Sequence, residues 1–313
     1  METLLDIGVD VAKDAVVVAC ARQSFAAHSV VNTTARLRAW LKSLPVGSRI
    51  GVEATGGYHQ RLADLAHSLG CIVYVLNPRD VRHYARAVGV RGKTDPVDAA
   101  LIARYVAHEH ARLHAYQPLS PQQRALDRLL KRRTKLVSLK TALRLSLQDA
   151  PELRTELKAT LRRFDTLLHR IETQLAALIQ QLFPQQRLRL QSIVGVGPLV
   201  SAGLAHALSR LPFANVQAFI AFTGLDPRPD DSGRRKGRRR LSKRGPAELR
   251  RLLFNAAMAA CKTAVWKPVY EHYRKQGWST TASLVIIARK IARIAYALWH
   301  GQSNFDPKRL ATT

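Results

Sequence analysis

Four carboxylates in the N-terminal third are the residues whose types and spacing could do chemistry: Asp10 in IGVD, Glu53 in GVEATGG, and Asp95 with Asp98 in KTDPVDA. Each falls where a chain usually changes direction, at a strand end or a helix start. Acidic residues are scarce here, 22 Asp+Glu against 50 Lys+Arg, so four of them at such positions call for a reason. Hard oxygen ligands at element ends can hold a divalent metal against a phosphate. Structural roles compete with that chemistry. Asp10 can end a hairpin strand, Glu53 can sit on the surface before a Gly-Gly turn, and Asp95 with Asp98 can cap a helix. For the last pair taken alone, capping is the simpler account. Yet the i, i+3 spacing also puts both carboxylates on one face at the helix mouth, so capping and metal binding are compatible.

A second cluster is Asp230-Asp231-Ser232-Gly233, followed by Arg234, Arg235, Lys236, Arg238, Arg239, Arg240, Lys243 and Arg244. Cations at this density grip phosphates, whatever else the segment does. Ser232 differs in kind, because it is a hydroxyl in a Gly-flanked turn at the head of the run. Serine is a weak nucleophile until a base or metal activates it. No histidine is near in sequence, so activation would have to come from the carboxylate site, and Ser201 and Ser242 are alternative hydroxyls. Gly195 and Gly197, in SIVGVGPLVSA, precede an apolar helix. Such glycines let backbone N–H groups approach a phosphate at a helix N-terminus, as in a helix-hairpin-helix element. A GxG turn between packed helices has the same pattern.

The elements that must position these groups divide the chain in three. Residues 1–117 read as α/β. Short β-branched runs at 4–9 and 15–20 predict a hairpin, and 49–52 and 71–76 predict further buried strands. A helix is expected over 60–69, closed by Gly70, and another begins with Asp95 as N-cap, Pro96 at N1 and Asp98 at N3. Asp10 and Glu53 then follow strands that lie side by side, which with a carboxylate pair on a packing helix is the layout of an RNase H-like nuclease core. Residues 118–186 form a helical arm. Leu157, Leu161, Phe164, Leu168, Ile171, Leu175, Leu178 and Leu182 make a heptad seam, which can close a hairpin on itself or join two subunits. Residues 187–313 are helical again, with helices expected over 246–262 and 280–300.

Composition narrows the partners. A formal net charge of +28 over 313 residues exceeds what solubility needs and fits a polyanion such as DNA or RNA. No stretch approaches the roughly 20 apolar residues of a spanning helix, and the N-terminus lacks a signal-peptide layout. Cys20, Cys71 and Cys261 are isolated, without a CxxC pair, and suggest neither disulfides nor zinc. The expectation is a cytoplasmic, nucleoid-associated protein with no membrane contact.

The motifs taken together are far more specific than any one of them. IGVD-x-AK, VEATGGY, KTD-x-VDA, SIVGVGPLVSA, AFTGLDPR, SG and SKRG, in this order along the whole chain, resemble the DEDD transposases of insertion sequences, the family that includes the pilin-gene invertases. The resemblance implies a RuvC-like N-terminal domain, a coiled-coil middle and a C-terminal transposase domain. It implies Mg²⁺ held by Asp10, Glu53, Asp95 and Asp98, and Ser232 as a nucleophile that becomes covalently joined to DNA. It further implies donor and target DNA as partners, a structured non-coding guide RNA, and a homo-oligomer, dimer or tetramer. Two other readings use the same residues: a metal-dependent structure-specific nuclease in which water attacks, and a non-catalytic nucleic-acid-binding protein.

Overall fold

A computed structural model of the chain describes residues 4–22, 26–54, 57–90, 92, 94–228, 231–232, 235–236 and 239–312, of which 231–232, 235–236 and 311–312 are described in backbone alone. The chain divides into two compact units, Met1–Pro118 and Leu119–Thr313.

The first unit is built on short strands whose central ones are buried on both faces. β1 (Asp6–Val11) and β2 (Ala15–Cys20) are apolar and β-branched and form the expected antiparallel hairpin, two residues further on for the first strand. β3 (His28–Val31) pairs with β2, and α1 (Thr34–Lys42) follows. The chain then adds β4 (Arg49–Glu53), α2 (His59–Ser68) and β5 (Ile72–Leu76), and α3 (Pro78–Ala87) and α4 (Asp95–Glu109) close the unit. The sheet order is β3-β2-β1-β4-β5, antiparallel up to β1 and parallel from β1 to β5. One face carries Ile7, Val9, Val11, Ile50 and Val52 into a core with Leu37 and Leu41 of α1 and Leu62 of α2. The opposite face is covered by α4.

The second unit opens with α5 (Pro121–Ser146), started by a capping box between Ser120 and Gln123. α6 (Arg154–Leu182) runs back along it. Arg133 pairs with Glu172 at 2.7 Å and Lys140 pairs with Asp165, so residue numbers rise on one helix as they fall on the other, which is antiparallel packing. Leu168 and Leu175 of the heptad seam are buried within this chain. Leu126, Leu130, Leu175 and Ile179 belong to the same core as the helices that follow. These are α7 (Pro184–Ser192), α8 (Pro198–Arg210), α9 (Val216–Thr223), α10 (Ala247–Ala260), α11 (Lys267–Lys275) and α12 (Thr280–His300). Among the described residues between α9 and α10 run the two-residue strands β6 (Pro227–Arg228), β7 (Asp231–Ser232), β8 (Arg235–Lys236) and β9 (Arg240–Leu241), with β6 paired to β9 and β7 to β8. No helix among the described residues is long and apolar enough to cross a membrane.

Candidate active site

Strand register decides where the first two carboxylates stand. Gly8 pairs with Gly51 and Val9 with Val52 in the parallel β1–β4 ladder, so Asp10 and Glu53 are the next residues along adjacent strands. An ion pair at the other end of the ladder supports that register. Arg49 donates from Nε to Asp6 Oδ1 at 2.5 Å and from Nη2 to Oδ2 at 3.0 Å, a forked contact across the two strand starts. His110 Nε2 lies 2.6 Å from Arg49 Nη1 and ties the chain beyond α4 to the same point.

Alternation along the strands puts Gly8 with Asp10, and Gly51 with Glu53, on one face. It is the face that α4 covers. A β-carbon on Gly8 would overlap the Ala99 carbonyl oxygen and the Ala103 amide nitrogen, and one on Gly51 would overlap Val106 and stand 2.9 Å from Ile102 Cγ2. The helix therefore rests on bare strand backbone, with its first turn toward the end that bears Asp10 and Glu53. That turn carries Asp95 and Asp98. The N-cap is Thr94 rather than Asp95, one residue earlier than the sequence pattern predicts, with Pro96 still inside the first turn. Asp10, Glu53 and Asp98 are half-buried and Asp95 is exposed. All four are thus on one face and at one end of a single unit. Among the described residues, no three His, Cys, Asp or Glu side chains are grouped closely enough to hold a metal ion.

The serine motif lies in the second unit. β7 pairs with β8 through Asp231 with Lys236 and Ser232 with Arg235. Asp230, Gly233, Arg234 and Arg238 lie outside the described residues. Arg239, Arg240, Lys243 and Arg244 are exposed. The base of this segment is firmly built. Asp226 accepts a hydrogen bond from the Ser242 hydroxyl, Ser242 N donates to Asp226 O at 2.9 Å, and Lys243 N donates to Gly224 O at 3.1 Å. Gly224 ends α9 in the left-handed region at φ 69°, which favours glycine. Arg250 Nη1 donates to Gly245 O at 2.5 Å and to Thr223 O at 3.2 Å, bridging both sides of the neck. Burial lowers the pKa of Arg250, and also those of Arg289 and Lys290 on α12, where the Arg293 charge adds to the effect.

Sequence reasoning did not identify Asp226 or Arg250 as parts of this neck. The signal was available, since TGLDPR and SKRG flank the serine segment on either side and a closed neck must pair them. The two competing hydroxyls are poorly placed for attack: Ser242 is 5% exposed and committed to Asp226, and Ser201 is fully buried in α8. Gly195 has its own packing reason. Its φ is +96°, and a β-carbon would stand 2.7 Å from Ala260 Cβ and 2.8 Å from Ala256 O of α10. Gly197, at the exposed start of α8, has open space around it.

Two family descriptions match the chain. Residues 7–153 match a family described as "Transposase", of the DEDD IS110 type, and residues 187–273 match "Transposase IS116/IS110/IS902 family". Among individual proteins, the chain is 27% identical over 270 residues to the pilin gene-inverting protein of Moraxella lacunata, covering 82% of this chain and 81% of that protein. It is 27% identical over 314 residues to a probable family 20 transposase of Pseudomonas aeruginosa, covering 87% and 90%. The transposase for insertion sequence element IS1111A of Coxiella burnetii is 27% identical over 351 residues, covering 97% and 92%.

Proposed function

We propose a mechanism from one premise: the chain belongs to the IS110 family of transposases. It is an enzyme of the recombinase type, and its substrate is DNA. In the proposed reaction the Ser232 hydroxyl attacks a phosphodiester. A bond forms between Ser232 Oγ and phosphorus, the bond from phosphorus to one neighbouring nucleotide oxygen breaks, and the serine proton leaves to a nearby base. The freed DNA hydroxyl can reverse the step on another strand, so cutting and rejoining need no external energy source.

Asp10, Glu53, Asp95 and Asp98 would hold Mg²⁺. What supports this reading is their common face and common end of the sheet, together with an all-oxygen donor set of the kind magnesium takes. The chemistry such an ion supplies when bound is polarisation of a phosphoryl oxygen and stabilisation of the attacking and leaving oxygens. The strand order, with a parallel half and an antiparallel half, supports an RNase H-like reading of this unit. Arg239, Arg240, Lys243 and Arg244 would grip the phosphates flanking Ser232, with Arg234, Arg235, Lys236 and Arg238 and the turn at Gly195 and Gly197 adding to the nucleic-acid surface. A structured non-coding RNA would choose the DNA strands. More than one subunit would act together, a need supported by exposed Leu139, Leu145, Leu153 and Leu167 on the helical hairpin.

The observation that carries the reading is the built neck under the serine segment of the second unit, where Ser242 and Asp226 close its two flanks. Trapping a denaturation-resistant protein–DNA adduct tests it. The adduct is expected with the natural chain and absent in Ser232→Ala. Cleavage without any adduct would leave a nuclease in which water attacks, and an adduct that persists in Ser232→Ala would assign another nucleophile.

A further inference from the structure

α12 carries Arg289, Lys290 and Arg293 and no acidic residue along its length. Arg293 is four residues from Arg289 and three from Lys290, so the three cations share one flank, where like charges repel. Arg289 and Lys290 are half-buried and Arg293 is exposed. Burial, and then the Arg293 charge, disfavour the charged form of the first two, and the Asp226 carboxylate offsets this for Arg289 alone. None of the three makes a hydrogen bond or ion pair with a described residue. The acids around α12 are engaged elsewhere. Glu248 of α10 pairs with Arg251 at 2.5 Å, Glu271 of α11 lies 3.9 Å from Lys267, and α7, α8 and α9 contain none. Asp226 is committed to the Ser242 hydroxyl.

This flank of α12 leads to the neck beneath the serine segment. Tyr296, one turn beyond Arg293, donates from its hydroxyl to Phe213 O at 3.1 Å, and its ring stacks on Phe219 of α9. Arg289 lies as far back from Tyr296 as Asp226 lies beyond Phe219, so the two chains run past each other and the guanidinium comes within the field of Asp226. Packing encloses Nε of Arg289. Its two outer nitrogens are neither bonded nor enclosed, and so keep surface that a ligand can reach.

We propose that Arg289, Lys290 and Arg293 form a seat for a backbone phosphate of the DNA, at the foot of the neck that leads to Ser232. A phosphodiester supplies the anion that the cluster lacks. The outer nitrogens of Arg289 present a fork that matches two phosphate oxygens, with Lys290 and Arg293 as further charges beside it. Half-buried cations without acids cost the free protein stability, and bound DNA removes that cost. The inference rests on the DNA substrate of the proposed reaction but not on the identity of the nucleophile, so it stands or falls separately from Ser232.

The test pairs binding with stability, in the full chain carrying Ser232→Ala so that no strand is cut. Affinity for a duplex DNA oligonucleotide is measured across a salt series, and the thermal midpoint is measured without DNA. Arg289→Met with Lys290→Met and Arg293→Met keeps the apolar stems and removes the charges. Affinity should fall about ten-fold near 0.1 M salt, with the salt slope shallower by about 0.9 for each phosphate lost. The midpoint of the free protein should stay level or rise. Arg289→Lys keeps the charge without the fork, and should hold the slope while losing about three-fold in affinity. An unchanged slope in the triple variant would overturn the inference. So would a lowered midpoint, which would make the cluster a structural partner of Asp226, or full affinity in Arg289→Lys, which would leave only diffuse attraction. A loss confined to the matching RNA strand would assign the seat to RNA and overturn it as well. A covalent adduct that persists in the Ser232→Ala chain would remove the proposed nucleophile and leave these binding outcomes as they are.

Discussion

Gly8 and Ala99 stand so close that a β-carbon on the glycine would overlap the alanine's carbonyl oxygen. The contact is backbone on backbone, between the middle of a strand and the first turns of a helix. Asp10 lies two residues after Gly8 and Asp98 one residue before Ala99. The missing side chain therefore does more than admit a helix. It sets the first turns of α4, which carry Asp98, against the strand whose far end carries Asp10.

Gly8→Ala is expected to cost about 3 kcal/mol or more, because the atoms it meets are backbone and cannot yield by changing rotamer. Gly51→Ala meets Val106 and Ile102 side chains, which can turn, and should cost about 1–2 kcal/mol. Urea unfolding of the two variants measures the difference. Equal costs would mean that α4 shifts as easily from one strand as from the other.

The Asp6–Arg49 pair should behave as a buried ion pair in which half is worse than none. Asp6 is 3% exposed. Arg49→Met leaves its charge alone and is expected to destabilise by about 3–5 kcal/mol, whereas Asp6→Leu with Arg49→Met should recover most of that loss. A double-mutant cycle in chemical denaturation reads the coupling. Purely additive losses would show that the pair contributes no mutual stabilisation.

Asp10→Asn and Asp98→Asn should each abolish strand cleavage and leave DNA affinity nearly intact, since affinity rests on Lys and Arg. The salt dependence should be steep, falling by roughly 0.9 logarithmic units of affinity per tenfold salt for each phosphate engaged. Chelation should mimic the variants in a cleavage assay. Full activity in excess chelator, or in Asp10→Asn, would remove the metal from the mechanism.

Asp127 gives the second unit a measurable acid limb. Burial pushes its carboxyl up, but hydrogen bonds from His206 and Lys131 and their charges outweigh burial and bring it from 3.8 down to about 2. A depressed folded value means the contribution is fully present above about pH 4 and is lost as pH falls through 2. It amounts to about 2 kcal/mol. Stability measured between these pH values should fall in the natural chain and flatten in Asp127→Asn. A limb of unchanged depth would place the titrating group elsewhere.

Much of this was legible in the residues because the strands are short, β-branched and bounded by turns. The hairpin ahead of Val11, the strands ending at Glu53 and Leu76, and the helix opening near Asp95 follow from local pattern alone. Thr94 took the cap one residue early because Asp95 and Pro96 both fit inside a first turn. The heptad from Leu157 to Leu182 could not say which surface would cover it. A seam specifies an apolar stripe, and within this chain the helix that runs antiparallel along it is α5, with Leu175 in a core shared with Leu126 and Leu130. The neck beneath Ser232 was less visible still. Asp226 and Ser242 are sixteen positions apart with polar sequence between them, and no periodicity links them. Such a contact becomes evident only once both flanks have folded.

That neck carries the last prediction. Ser242 is buried, and its hydroxyl binds a carboxylate on the opposite flank of the segment that bears Ser232. A hydrogen bond of this kind to a charged group stabilises by about 1.5–3 kcal/mol. Attack on phosphorus tolerates little misplacement, and an error of about 1 Å can cost roughly a hundredfold in rate. Ser242→Ala should therefore slow formation of the serine–DNA adduct by about ten- to a hundredfold, with DNA affinity and the unfolding of the rest of the unit changed far less. Ser242→Thr keeps the hydroxyl and should restore much of the rate. Single-turnover adduct formation separates the cases. A normal rate in Ser242→Ala would show that the neck does not position the nucleophile. Loss of all adduct in Ser242→Ala, with Ser232→Ala still reacting, would make the buried serine the nucleophile and would require the neck to open before attack.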